Sequence, residues 1–261
     1  MLSGRATLLA WLGIALFILA VPVSAATVED VRSRGEHVRI VIEGPAKLVA
    51  TVVLFAGGHG VLGISKNGDI DWGRANFLVR TRGLFHSEGL LTVLIDAPRD
   101  RQHSGLFYFR DTAEHAQDVA EVIAHLRAQS PLPVWLVGTS RGTESVASAA
   151  VHLSEGGPNG IVLTASMLEM NTKGRSVLEM DLGRISVPTL IAHHVDDECH
   201  VTPYARVEEL QAKLLNAGAV ELLTYQGGDP RGDPCRAHHF HGFKGIEKRV
   251  VSDIAAWIKA H

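Results

Sequence analysis

The feature that most constrains this chain is an abrupt change of pattern. The apolar run Val134-Trp135-Leu136-Val137 stops at Gly138-Thr139-Ser140-Arg141-Gly142, and a helix-like segment of small residues begins at once. A serine held on so sharp a strand-to-helix turn sits in strained backbone, with neighbouring segments very close, and Gly138 and Gly142 have no Cβ to collide there. Gly-x-Ser-x-Gly in that setting marks Ser140 as a candidate nucleophile. The rival reading is an ordinary βα turn in which Ser140 only caps the helix.

The rest of the chain alternates strand-like and helix-like segments, the signature of a mostly parallel sheet covered by helices on both faces. His37–Glu43 alternates polar and apolar residues and reads as an outer strand. Ala50–Ala56 and Leu90–Ile95 are nearly continuous apolar runs and read as buried strands. The first ends in Gly57-Gly58-His59-Gly60, a turn whose approachable backbone N–H groups suit an oxyanion or a phosphate. No Gly-Lys-Ser follows, so it is not a nucleotide-phosphate loop. Trp72–Arg82 reads as a modest helix, and Asp111–Glu114 opens another that ends before Pro131. Strands follow at Ile161–Thr164, Pro188–His193 and Val220–Tyr225, with helices over Pro203–Asn216 and Gly245–Ala260. Ala165–Arg184 is a short lid or a crossover helix, too short for a separate cap domain. Asp96–Arg101 and His103 follow a buried strand and are candidates to border a site.

Met1–Ala25 stands apart from this pattern. One positive charge, Arg5, precedes an unbroken apolar run, Leu8–Val21, and then the small residues Ser24, Ala25 and Ala26. That is a secretory signal peptide, with cleavage after Ala25 or Ala26. The alternative is an uncleaved anchor, although the run is short against the roughly 20 residues of a membrane span. The expected organisation is a signal peptide over residues 1–25 and one domain over 26–261, secreted or periplasmic, with no stable membrane association once the leader is removed. Of 261 residues, 46% are hydrophobic and 20% charged, enough apolar material for one large α/β core. The formal net charge of −3 offers no electrostatic footprint for nucleic acid. Export makes a disulfide between the two cysteines, Cys199 and Cys235, an expectation; free thiols and metal ligands are the alternatives.

In motif order the chain resembles the α/β-hydrolase superfamily over essentially all of residues 26–261. In that family the nucleophile, the acid and the histidine follow one another in the chain. Here those places fall to Ser140, the Asp196/Asp197 pair and the His238/His239/His241 group. The resemblance implies a mostly parallel sheet of about seven or eight strands, helices on both faces and no large cap. It implies a triad of Ser140, Asp197 and His241, with Asp196 and His238 as alternatives. It places an oxyanion hole at the N–H groups of Arg141 and Gly58. His59 is the alternative to Gly58, because the family often has His-Gly at this turn where this chain has Ala56-Gly57-Gly58-His59. It also makes the loops carrying Cys199 and Cys235 neighbours, so that a disulfide would tie the acid loop to the histidine loop.

The activity so implied is hydrolysis of an ester or amide through an acyl-enzyme on Ser140, without cofactor, carboxylesterase first and peptidase or thioesterase as alternatives. The expected partner is a small-molecule or peptide substrate. Two rivals come from other classes. Fourteen histidines, many of them in the segments 193–200 and 238–241, permit a metal-binding reading, but no Cys-x-x-Cys or His-Glu-x-x-His spacing is present and no metal is expected. A non-catalytic binding protein on the same fold is the other.

Overall fold

A computed structural model describes residues 26–261. The signal-peptide expectation for residues 1–25 therefore lies outside the described residues. Among the described residues eight strands form one sheet: β1 (Thr27–Ser33), β2 (Glu36–Glu43), β3 (Ala50–Phe55), β4 (Leu90–Ile95), β5 (Val134–Ser140), β6 (Gly160–Ser166), β7 (Thr189–His194) and β8 (Val220–Tyr225). Their order across the sheet is β1-β2-β4-β3-β5-β6-β7-β8. The two pairings that involve β2 are antiparallel, and every other pairing is parallel. Among the described residues five α-helices accompany the sheet: α1 (Phe77–Ser87), α2 (Ala113–Gln129), α3 (Gly142–His152), α4 (Val207–Lys213) and α5 (Glu247–Ala260).

The two-residue period of a strand sorts its side chains between two helical layers. In β3, Val53 and Phe55 enter the core shared with α2, α3 and α4, while Val52 and Leu54 enter the core shared with α1 and α5. Leu136 and Val137 of β5 divide in the same way. The central strands are covered on both faces, which is why they read as unbroken apolar runs in the sequence.

Several elements differ from the sequence expectations. β2 is not the outer strand; β1 pairs along its whole length and takes the edge. The helix expected from Trp72 begins only at Phe77, because the side chain of Asn76 caps it by accepting the N–H of Leu78 at 3.1 Å. At α2 the cap is Thr112, which accepts from His115 N–H at 3.2 Å, rather than a box opened by Asp111. Residues 167–184 contain no α-helix, only 3₁₀ turns at Val177–Glu179 and Leu182–Arg184. The helix expected over Pro203–Asn216 shortens to α4, preceded by a 3₁₀ turn at Tyr204–Arg206.

The strand order sets where a ligand can reach the sheet. After β3 the chain builds outward to β4, then returns to place β5 on the other side of β3. At such a reversal the connections leave in opposite directions, and a crevice opens at the carboxyl ends of the two strands. Gly57 and Gly58 follow β3, and Ser140 ends β5, so both reach this crevice.

Candidate active site

Ser140 has a φ of +54°, a left-handed conformation that is uncommon for a residue with a side chain. The surroundings hold it there. The hydroxyl of Thr143 donates to the carbonyl of Ser140 at 2.6 Å and accepts the N–H of Met167 at 3.1 Å. Helix α3 starts hard against β3: a Cβ on Gly142 would lie 2.0 Å from the carbonyl oxygen of Phe55. The glycine is what lets the turn close.

Asp197 follows β7 and is buried. One carboxylate oxygen, Oδ2, takes the hydroxyl of Thr202 at 2.9 Å and lies 3.1 Å from Nδ1 of His241 and 3.5 Å from Nε2 of His193. The other, Oδ1, accepts the N–H of Cys199 at 3.0 Å. Burial works to raise the pKa of this acid, but the bonds from His193 and His241 outweigh it and hold the carboxyl well below the usual range. His241, buried in a 3₁₀ turn over Phe240–Gly242, thus has Nδ1 engaged with Asp197 and Nε2 left for other work.

Ser140 and His241 line one cavity of about 530 Å³, together with Gly57, Gly58, Trp72 and Phe77. Gly58, with φ +63°, lies under the Trp72 ring: a Cβ there would stand 2.5 Å from it. Among the described residues, the backbone N–H groups of Gly58 and Arg141 have no hydrogen-bond partner. His59 instead folds back to accept the N–H of Val61 at 3.1 Å and packs on Trp72.

The alternatives expected at the site make no bond to the Asp197–His241 pair. Asp196 has a side chain 56% exposed, 3.8 Å from Nδ1 of His194, and does not reach His241. His238 lines the cavity as an exposed side chain, without a bond to Asp197. Asp96 turns into the protein to accept the N–H groups of Leu62, Ile64 and Ala97 at 2.6, 2.9 and 2.8 Å, and borders a different cavity. The segment 165–184 does not line the Ser140 cavity; residues 72–77 and 235–238 do. Cys199 and Cys235 are joined, with sulfurs 2.01 Å apart, and Cys235 borders the cavity. His200 Nδ1 lies 3.6 Å from the Cys235 sulfur, but both thiols are consumed by the bond, so this trio offers no thiolate to a metal.

The sequence did not single out the polar groups that brace these residues. Thr202 and His193 both address Asp197, and His193 also meets the carbonyl of Thr202 at 3.0 Å. Behind the turn, buried Arg110 donates to the carbonyl of Ala56 at 3.0 Å and to the hydroxyl of Ser145 at 2.7 Å. It thereby joins the strand leading to the glycine turn with the helix leaving Ser140. The Arg141 side chain points away from the cavity, pairing with Glu144 at 3.1 Å and with Asn171. Burial pushes the Glu144 carboxyl up to about 7. A threonine or an arginine in a loop carries no local signal for such roles; only His193, at the end of a buried strand, stood in a visible cluster.

The strand order and layers are those of the α/β-hydrolase fold, without a large cap. Solved structures agree. The chain is similar to dienelactone hydrolase from Anabaena variabilis, 15% identical, over 90% of this chain and 97% of that one, with a TM-score of 0.64. It is similar to a cold-adapted esterase from an Arctic intertidal metagenomic library, 17% identical, over 97% and 99% of the two chains, with a TM-score of 0.61. It also matches an acylaminoacyl peptidase from Pyrococcus horikoshii, 13% identical, over 90% of this chain but 41% of the peptidase, with a TM-score of 0.61. No protein-family model and no curated sequence matches the chain.

Proposed function

We propose that this protein is an exported serine hydrolase that cleaves carboxylic esters. The observation that carries the reading is the meeting of three features: Ser140 on a left-handed turn, His241 lining the same cavity, and buried Asp197 at 3.1 Å from Nδ1 of that histidine. Ser140 Oγ adds to the substrate carbonyl while Nε2 of His241 takes its proton. The N–H groups of Arg141 and Gly58 receive the oxyanion. The tetrahedral intermediate collapses, the alcohol leaves with the proton from His241, and the acyl group stays on Ser140. Water then adds to the acyl carbon, gives a proton to His241, and the acid departs as that proton returns to Ser140.

Esters ask less of the leaving group than amides, which favours an esterase over a peptidase. The Cys199–Cys235 bond supports an oxidising compartment, and therefore export. Among the described residues no helix is long and apolar enough to cross a membrane. The test is labelling with a fluorophosphonate probe. Wild type labels and Ser140→Ala does not; folded wild type that fails to label removes the reading.

A further inference from the structure

The cavity at Ser140 has walls of one sign. Its charged lining residues are Arg74 and Arg236, and no aspartate or glutamate borders it among the described residues. Neither guanidinium is ion-paired among the described residues. Most of the described arginines are, including Arg34, Arg39, Arg80, Arg82 and Arg206, but no carboxylate among the described residues lies within ion-pair distance of Arg74 or Arg236. Arg74 spends its Nε on the carbonyl of Ile70, which leaves its two terminal amino groups uncommitted. Arg236 makes no side-chain hydrogen bond among the described residues, although its backbone is anchored by its N–H on the carbonyl of Asp233 at 3.0 Å. Two uncommitted guanidiniums lining the cavity that holds Ser140 run against the overall charge of −3.

A guanidinium presents a planar fork of donors that matches the two oxygens of a carboxylate. A cleft with low-dielectric walls concentrates the field of its charges on an entering ligand. The cavity supplies such walls in Trp72 and Phe77. We propose that it selects esters bearing a carboxylate, with Arg74 and Arg236 holding the anion while the ester carbonyl lies against Ser140. This rests on the hydrolase reading and adds the class of substrate to it. Both arginines are exposed to solvent, so their pull on the ligand is sensitive to salt.

Two fluorophosphonate probes of equal chain length, one ending in methyl and one in carboxylate, separate the two claims. In either reaction Ser140 Oγ bonds to phosphorus, fluoride leaves, and the serine proton passes to His241. The second-order labelling rate is measured for wild type, Arg74→Gln, Arg236→Gln and the double variant, at low and high salt. The carboxylate probe labels wild type about tenfold faster than the methyl probe at low salt, and that ratio falls toward one at high salt and in the double variant. Equal rates in wild type, a slower carboxylate probe, or a ratio that survives both substitutions removes the anion subsite and leaves the serine standing. No labelling by either probe removes the hydrolase reading and the subsite with it.

Discussion

Asp197 shows how little of an acid's work is visible in its own side chain. It is buried, yet three neighbours, His193, Thr202 and His241, address one of its oxygens. Its folded pKa is depressed, so its ionisation stabilises the folded protein above the unfolded value of about 3.9, and that contribution disappears as pH falls through the folded value. Asp197→Asn keeps the shape and removes the charge. An amide can donate to Nδ1 and stabilise the wrong tautomer, leaving Nε2 protonated and unable to take the serine proton. The expected result is a loss of kcat of about 10³-fold to 10⁴-fold on a neutral ester. In pH-dependent unfolding the stability gap between wild type and variant is full near neutrality and closes in acid below about pH 4. A variant within tenfold of wild type in kcat, or a gap that stays constant into acid, rules out this role for the carboxylate.

At the scale of elements, the site is held where strand ends and loops are pinned together. Helix α3 crosses β3 at Gly142 with no room for a side chain, and the atom in the way is backbone, the carbonyl oxygen of Phe55, which cannot swing aside. Gly142→Ala therefore forces α3 away from the sheet, with an expected cost of about 3 kcal/mol or more and loss of probe labelling even where the protein still folds. Gly156 is the control: an added Cβ meets nothing within 4 Å, and only its φ of +67° opposes alanine, at a cost of about 1 kcal/mol. Equal thermal shifts for the two variants contradict the close-approach account. The Cys199–Cys235 bond pins the loop after β7 to the loop before α5 across 36 residues of sequence. Replacing both cysteines by serine is expected to lower stability by about 2–4 kcal/mol in denaturant unfolding. Because Asp197 takes the N–H of Cys199 and His241 lies in the other loop, kcat falls as well; a change in stability with kcat untouched shows that the bond does not register the pair.

Across the whole molecule, legibility in the sequence followed burial. The strands β3, β4, β5 and β7, covered on both faces, betray themselves as apolar runs, and so does the sharp turn at Ser140. Thr27–Ser33 carries Glu29, Asp30 and Arg32 and has one helical layer to face, so its alternation is faint; what makes it a strand is its pairing with β2. Contacts between distant residues leave no trace in local pattern, and one of these lies next to β1. Arg34, just past that strand, donates to both oxygens of Asp118 on α2 at 2.8 and 2.9 Å, across 84 residues. The Asp118 side chain is only 1% exposed, and the Arg34 guanidinium is its ion-pair partner. Removing one member strands the other: Arg34→Met leaves a buried carboxylate and is expected to cost about 2–4 kcal/mol. Removing both costs less than the sum, because Asp118→Leu in that background clears the stranded charge and adds apolar contact with the core that α2 shares with the sheet. A double-mutant cycle in urea measures this coupling. Strictly additive effects mean that the pair holds nothing together. Labelling of Ser140 below the unfolding transition is expected to stay at the wild-type rate in all three variants, since the pair secures the edge of the sheet while the crevice opens at its centre.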